Sequence, residues 1–189
     1  NALRYKTTAY LLGSLDTEGE YEPSDFDYQT YLSWSPSSHW TIDFIGNISR
    51  NNYDFTPSSR TTKFGTAEDL KEFKVYFDGM EKDEFHTYFG ALSATHNFNK
   101  YNNLSFTYSA FDSREKETFD ISGEYWLNID ADNQSLGIGK YMEHARNNLK
   151  SSVHSIALKG SSKFTAHNIK YGLLYKWENI SEKIHEWEV

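Results

Sequence analysis

The sequence predicts an all-β chain, an antiparallel up-and-down meander, and three observations predict it. Short Ser/Asn-rich turns recur at nearly even spacing: Pro36-Ser37-Ser38-His39, Asn99-Lys100-Tyr101-Asn102-Asn103 and Thr165-Ala166-His167-Asn168. Each turn joins two long runs in which apolar and polar residues alternate. Long hydrophilic stretches separate one such pair from the next. Short turns at one end, long loops at the other and aromatic-rich alternating strands between them are the pattern of an outer-membrane β-barrel wall.

An opening strand is expected from Tyr5 to Leu12, with weak alternation. The first hairpin, 26–36/39–49, is clearer. Phe26, Tyr28, Thr30, Leu32 and Trp34 oppose Asp27, Gln29, Tyr31, Ser33 and Ser35. After the turn, Trp40, Ile42, Phe44, Gly46 and Ile48 oppose Thr41, Asp43, Ile45, Asn47 and Ser49. A period of two sustained over that length means strand rather than helix. Trp34 and Trp40 then flank the turn on one face, where an interfacial aromatic girdle belongs.

The second hairpin, 84–98/104–113, brings Tyr88, Leu92 and Phe98 to the apolar face, with Leu104, Phe106, Tyr108 and Ala110 returning. Ser105, Thr107 and Ser109 take the other face. The third, 149–164/169–178, sets Ile156, Leu158 and Phe164 beside Ile169, Tyr171, Leu173, Tyr175 and Trp177. Lys170, Lys176 and Glu178 oppose them and belong in water. About seven long strands result, many reaching the ~9–11 residues that cross a bilayer at a tilt. Segments 50–82 and 115–148 are expected as long outer loops, with Phe73 to Phe77 and Phe119 to Leu127 as strand extensions above the membrane. Asn1-Ala2 reads as an expression-tag remnant, and 3–189 as one fragment of a larger barrel.

Composition bounds the class. Hydrophobic residues make up 38% of 189, and the mean hydropathy is -0.74. No window approaches the ~18 apolar residues of a membrane helix, a test that barrel strands escape because half their residues face a polar interior. Fourteen Tyr, 13 Phe and 5 Trp suit a surface apolar at one level and wet at the next. The formal charge of -8 argues against a nucleic-acid partner, whose phosphates need a basic face. With no cysteine there is neither a disulfide framework nor a thiol nucleophile.

Motifs of chemistry are weak. Gly137-Ile138-Gly139-Lys140 fails the phosphate-loop pattern, because Gln134 replaces its first glycine and Tyr141 its Ser/Thr; it reads as a flexible glycine-containing loop. Asp130-Ala131-Asp132-Asn133 opens like a calcium loop, but Ser135 and Tyr141 stand where an EF-hand needs Gly and Glu. His86 and His96 share a face at too great a distance to bind one ion. Four sequon matches, at Asn47, Asn103, Asn133 and Asn179, read as chance in an Asn/Ser-rich chain. Glu81-Lys82-Asp83-Glu84 and Arg114-Glu115-Lys116-Glu117 read as solvated loop ends. Many Asp and Glu lie in 111–133, yet nothing selects a pair. No catalytic, cofactor or metal residue is assigned, and no enzymatic activity is expected.

Several stretches resemble TonB-dependent outer-membrane receptors of the Bacteroides type. They are Val75-Tyr76-Phe77-Asp78-Gly79-Met80-Glu81-Lys82-Asp83, Gly123-Glu124-Tyr125-Trp126-Leu127 and Gly137-Ile138-Gly139-Lys140-Tyr141-Met142-Glu143-His144-Ala145-Arg146-Asn147. The run from Ser33-Trp34-Ser35-Pro36 to Trp40-Thr41-Ile42-Asp43-Phe44 is similar too. The resemblance covers most of the chain, in wall and loops. It implies a segment of a barrel of about 22 strands closed by a plug. It also implies a Gram-negative outer-membrane location, lipid as a partner, and uptake of a large, unidentified nutrient driven by TonB through that plug. Neither plug nor TonB box is recognisable here, and no family ligand residue carries over. A sheet cut from such a barrel is expected to self-associate. Two rivals stand beside this reading: a soluble ligand-binding β-protein, lipocalin-like or a carbohydrate-binding module, and a β-sheet hydrolase using loop carboxylates.

Overall fold

A computed structural model describes residues 1–7, 19–66, 70–128 and 135–189. These form nine strands: β1 Ala2–Thr7, β2 Gly19–Ser37, β3 Trp40–Pro57, β4 Arg60–Gly65, β5 Leu70–Asn99, β6 Asn102–Asn128, β7 Ser135–Lys163, β8 Asn168–Lys183 and β9 Glu186–Glu188. The pairing is antiparallel throughout, in the order β1-β2-β3-β5-β6-β7-β8. β4 continues the line of β3 along β5, and β9 continues that of β8 along β7. The fold is therefore the expected all-β meander. The sheet is open: β1 and β8 end it without pairing to each other.

The turns form for local reasons. Asn99 Oδ1 accepts hydrogen bonds from the backbone N–H groups of Tyr101 (2.8 Å) and Asn102 (3.0 Å), closing the β5–β6 hairpin. A short amide side chain folding onto its own backbone is what favours Asn in turns. The Ser37 hydroxyl accepts from the His39 N–H at 3.3 Å in the β2–β3 turn. A register shift between Trp34 and Ser37 absorbs one residue there, so Trp34 faces Ile42 while Ser37 faces Trp40. Trp40 and Ile42 share a face, so Trp34 and Trp40 do as well, as the alternation requires.

The expected hairpins are present but much longer. Segments 50–82 and 115–148, expected as loops, are mostly strand: β3 runs to Pro57, β4 and β5 occupy the rest of the first, and β6 and β7 fill most of the second. The glycine run at 137–140 is likewise strand, with Gly137 facing Trp126 and Gly139 facing Tyr125. The two mixed-charge runs are mid-strand and meet each other, Asp83 opposite Glu117 and Glu84 opposite Lys116. Charged residues occupy both sheet faces at that height, so the hydropathic contrast that marks a strand disappears. The opening strand starts at Ala2; residues 8–12 of its expected span, like Asp130-Ala131-Asp132-Asn133, lie outside the described residues.

A single sheet has no second layer to bury against. Among the described residues only Ile121 and Ala157 are buried apolar side chains. The chain exposes 13485 Å², against about 9,300 Å² for a compact monomer of its mass. The difference is surface that a second layer buries in a compact monomer.

Candidate functional site

The two sheet faces differ in kind. One carries a continuous apolar band through the hairpins. Leu32, Phe44, Leu92, Tyr108, Ile156 and Tyr175 lie in one stretch of direct cross-strand partners from β2 to β8. All six are exposed, and neighbouring Leu173 is 72% exposed. Near the turns the band ends in aromatics. The Trp40 ring packs on His96 at 4.5 Å, and His96 meets Phe98 edge-on at 4.7 Å. On the outermost strand Trp177 stacks on His154 at 5.1 Å, and the Tyr108 hydroxyl bonds His154 Nδ1 at 2.9 Å.

The opposite face over the same residues is a carpet of hydroxyls and amides. Ser93 bonds both Ser105 (3.2 Å) and Thr107 (3.0 Å). The Thr95 hydroxyl donates to Ser105 at 3.0 Å, and Ser109 meets Ser155 at 2.6 Å. Nearer the β1 edge, Asn47 Nδ2 donates to Asp27 at 2.7 Å and the Tyr31 hydroxyl to Asp43 at 2.7 Å.

The band has a measurable height. One row of partners, Trp40–His96–Leu104–Gly160, closes it at the turns. Ten residues further along each strand the row is Arg50–His86–Arg114–Lys150. Ten steps of about 3.4 Å span roughly 34 Å. Tilted by about 40°, that is roughly 26 Å, close to the ~25 Å apolar belt of membrane barrels.

Beyond the band, on the hydroxyl face, carboxylates converge. Oxygens of Glu81, Asp83 and Glu117 all lie within 4.8 Å of one another, and all three residues are half-buried. Tyr53 faces Asp83 from β3, and Asn147 faces Glu117 from β7. Asn147 Nδ2 donates to Glu117 at 2.6 Å and to Glu186 at 2.7 Å, while its Oδ1 and the Asp83 Oδ1 are buried without a partner. Burial first, then the neighbouring carboxylates, hold Glu81 and Asp83 above the usual carboxylate range. Burial likewise raises the Tyr53 phenol. An open recess of about 360 Å³ runs past Asp83, Glu117 and Asn147. Oxygen-only donors of this kind suit a hard cation such as Ca²⁺ rather than zinc.

A second polar group lies on the apolar-band side, further out. Asp120 accepts from Arg146 and bonds His144 Nδ1 at 2.6 Å. Arg146 first, then His144, hold the Asp120 carboxyl below its ordinary value. The His144 ring stacks on Trp187 at 5.0 Å. In a Ser-His-Asp triad the second ring nitrogen of such a pair holds the nucleophile's hydroxyl. Among the described residues no hydroxyl bonds His144.

Sequence reasoning missed the carboxylate cluster, because Glu117 is 34 or more residues from its partners and only the β5–β6 register joins them. His86 and His96 share a face ten residues apart, as their spacing implied. Asn47, Asn103 and Asn179 lie within β3, β6 and β8. In comparisons with known proteins, no family model matches this chain and no curated protein matches it.

Proposed function

We propose that this chain is a wall segment of a TonB-dependent outer-membrane receptor of the Bacteroides type, which imports a large nutrient and has no enzymatic activity of its own. One observation carries the reading: an exposed apolar band of roughly bilayer height backed by a hydroxyl face. In water that band is a liability. Against lipid it is covered, and the hydroxyl face lines a wet interior. Strands of 27 to 30 residues reach far past a bilayer and favour a large receptor over a small barrel. The resemblance of Val75–Asp83 and Gly123–Leu127 to such receptors supports the same reading.

Tryptophan quenching tests it. Trp34, Trp40 and Trp177 lie on the band. In vesicles of brominated phosphatidylcholine their emission should fall strongly relative to unbrominated vesicles. Unchanged emission, or a soluble monomer that buries these rings in its own closed barrel, would overturn the membrane reading and favour the soluble binder.

A further inference from the structure

At the outer limit of the band, Arg50, His86, Arg114 and Lys150 are direct partners across β3, β5, β6 and β7. Arg114 and Lys150 are like charges directly opposite each other, an arrangement that destabilises a sheet. Arg50, Arg114 and Lys150 are exposed and His86 is half-buried. Arg114 has one carboxylate neighbour, Asp112 at 3.0 Å, in an exposed pair that contributes little. Arg50 and Lys150 have no ion-pair partner among the described residues.

The uncompensated charge is one-sided. Across these four strands the other face carries Ser49, Thr87, Ser113 and Ser151 as direct partners, and the charges that extend that row, Asp27 on β2 and Arg4 on β1, pair with each other at 3.8 Å. A row that merely kept strands soluble would charge both faces, and this chain is acidic overall at -8. One step further out, Glu84 and Lys116 already compensate each other at 3.8 Å. Arg50 follows Ile48 and His86 precedes Tyr88, each the last apolar residue of its strand's band; Arg114 and Lys150 stand slightly further out, within reach of the rim by their long stems.

We infer that this row binds the phosphate headgroups of anionic lipid in the leaflet at the far end of the band from the short turns. The inference rests on the membrane reading above. Lipid is the occupant because the charges share a face with the band and stand at its edge. A phosphate whose acyl chains lie against Ile48 and Tyr88 sits beside Arg50 and His86. It relieves the repulsion along the row with charge-assisted hydrogen bonds.

The test uses the full chain in phosphatidylcholine vesicles with or without 20 mol% phosphatidic acid, and counts phosphatidic acid retained per protein after detergent extraction. The triple variant Arg50→Gln/Arg114→Gln/Lys150→Gln should retain much less, about fivefold per removed charge. The variant Lys159→Gln/Lys170→Gln/Lys176→Gln, which removes equal charge from the hydroxyl face, should retain as much as the parent. Inorganic phosphate at millimolar concentration should not displace the lipid. The single variants Arg50→Gln and Lys150→Gln give the same ordering if the triple variant misfolds. Equal retention by parent and variants, or displacement by inorganic phosphate, overturns the inference. Brominated-lipid quenching is read on the same samples. Quenching with equal retention sinks the basic row alone; loss of quenching sinks the membrane reading and the row with it.

Discussion

Asp83 and Glu117 stand directly opposite each other across the β5–β6 ladder, and the Glu81 carboxylate closes on both to within 4.8 Å. Cross-strand partners are about 5 Å apart at Cβ, and like charges there oppose folding. The arrangement therefore stores repulsion in the sheet.

Replacing Asp83 with Asn should stabilise the chain at neutral pH in chelator, by about 0.5 kcal/mol on the scale of cross-strand pairs. Denaturant midpoints of the two proteins, compared at equal slope, check it. A lower midpoint for Asp83→Asn would show that the carboxylate is compensated.

The pH dependence has two limbs of opposite sign. Glu81 and Asp83 are raised in the folded chain, so their contribution is fully present below the ordinary carboxylate pKa and is lost as pH rises through the raised values. Asp120 is lowered, so its contribution is present above its ordinary pKa and is lost as pH falls through the depressed value. Stability measured from pH 3 to pH 7 should lose its high-pH decline in Glu81→Gln/Asp83→Asn, and its low-pH decline should weaken in Asp120→Asn.

Gly79 has φ +110°, and a Cβ there would lie 1.9 Å from the Asp120 carbonyl oxygen. Gly79→Ala should cost about 2 kcal/mol, through strain and backbone displacement. Gly139→Ala, with nothing within 4 Å of its added carbon, should fall within about 0.5 kcal/mol of the parent. Thermal midpoints of both variants decide it; equal shifts would refute the steric account.

Arginine should separate the faces in a bilayer. Leu92→Arg, in the middle of the band, should cost about 2–4 kcal/mol of stability in vesicles. Ser109→Arg, on the hydroxyl face beside it, should be tolerated. Equal tolerance would remove lipid from the band.

Without lipid the band and both sheet edges invite self-association. Light scattering in dilute detergent-free buffer should show species larger than 22.0 kDa that dissociate on dilution or on adding detergent. A 22.0 kDa species at every concentration would contradict it.

The hairpins were legible because their two faces contrast: Trp40, Ile42, Phe44 and Ile48 alternate against Thr41, Asp43, Asn47 and Ser49. Where charged residues occupy both faces that contrast vanishes. Glu81-Lys82-Asp83-Glu84 then looks like a loop tip, although it is mid-strand in β5. The carboxylate cluster and the basic row were illegible for another reason. Each is a property of register, joining positions that lie from 28 to 36 residues apart, and no single strand contains more than a part of either.

β7 continues 15 residues beyond Lys150 to Ser135, about 50 Å of contour. At an unchanged tilt of about 40°, the strand rises roughly 40 Å beyond Lys150, more than the ~30 Å hydrocarbon core of a bilayer. On the membrane reading, an arriving solute first meets protein far above the lipid. On the receptor function proposed above, that overhang is a stand-off collar, at whose rim a bulky cargo is admitted or refused before it reaches the plane of the membrane.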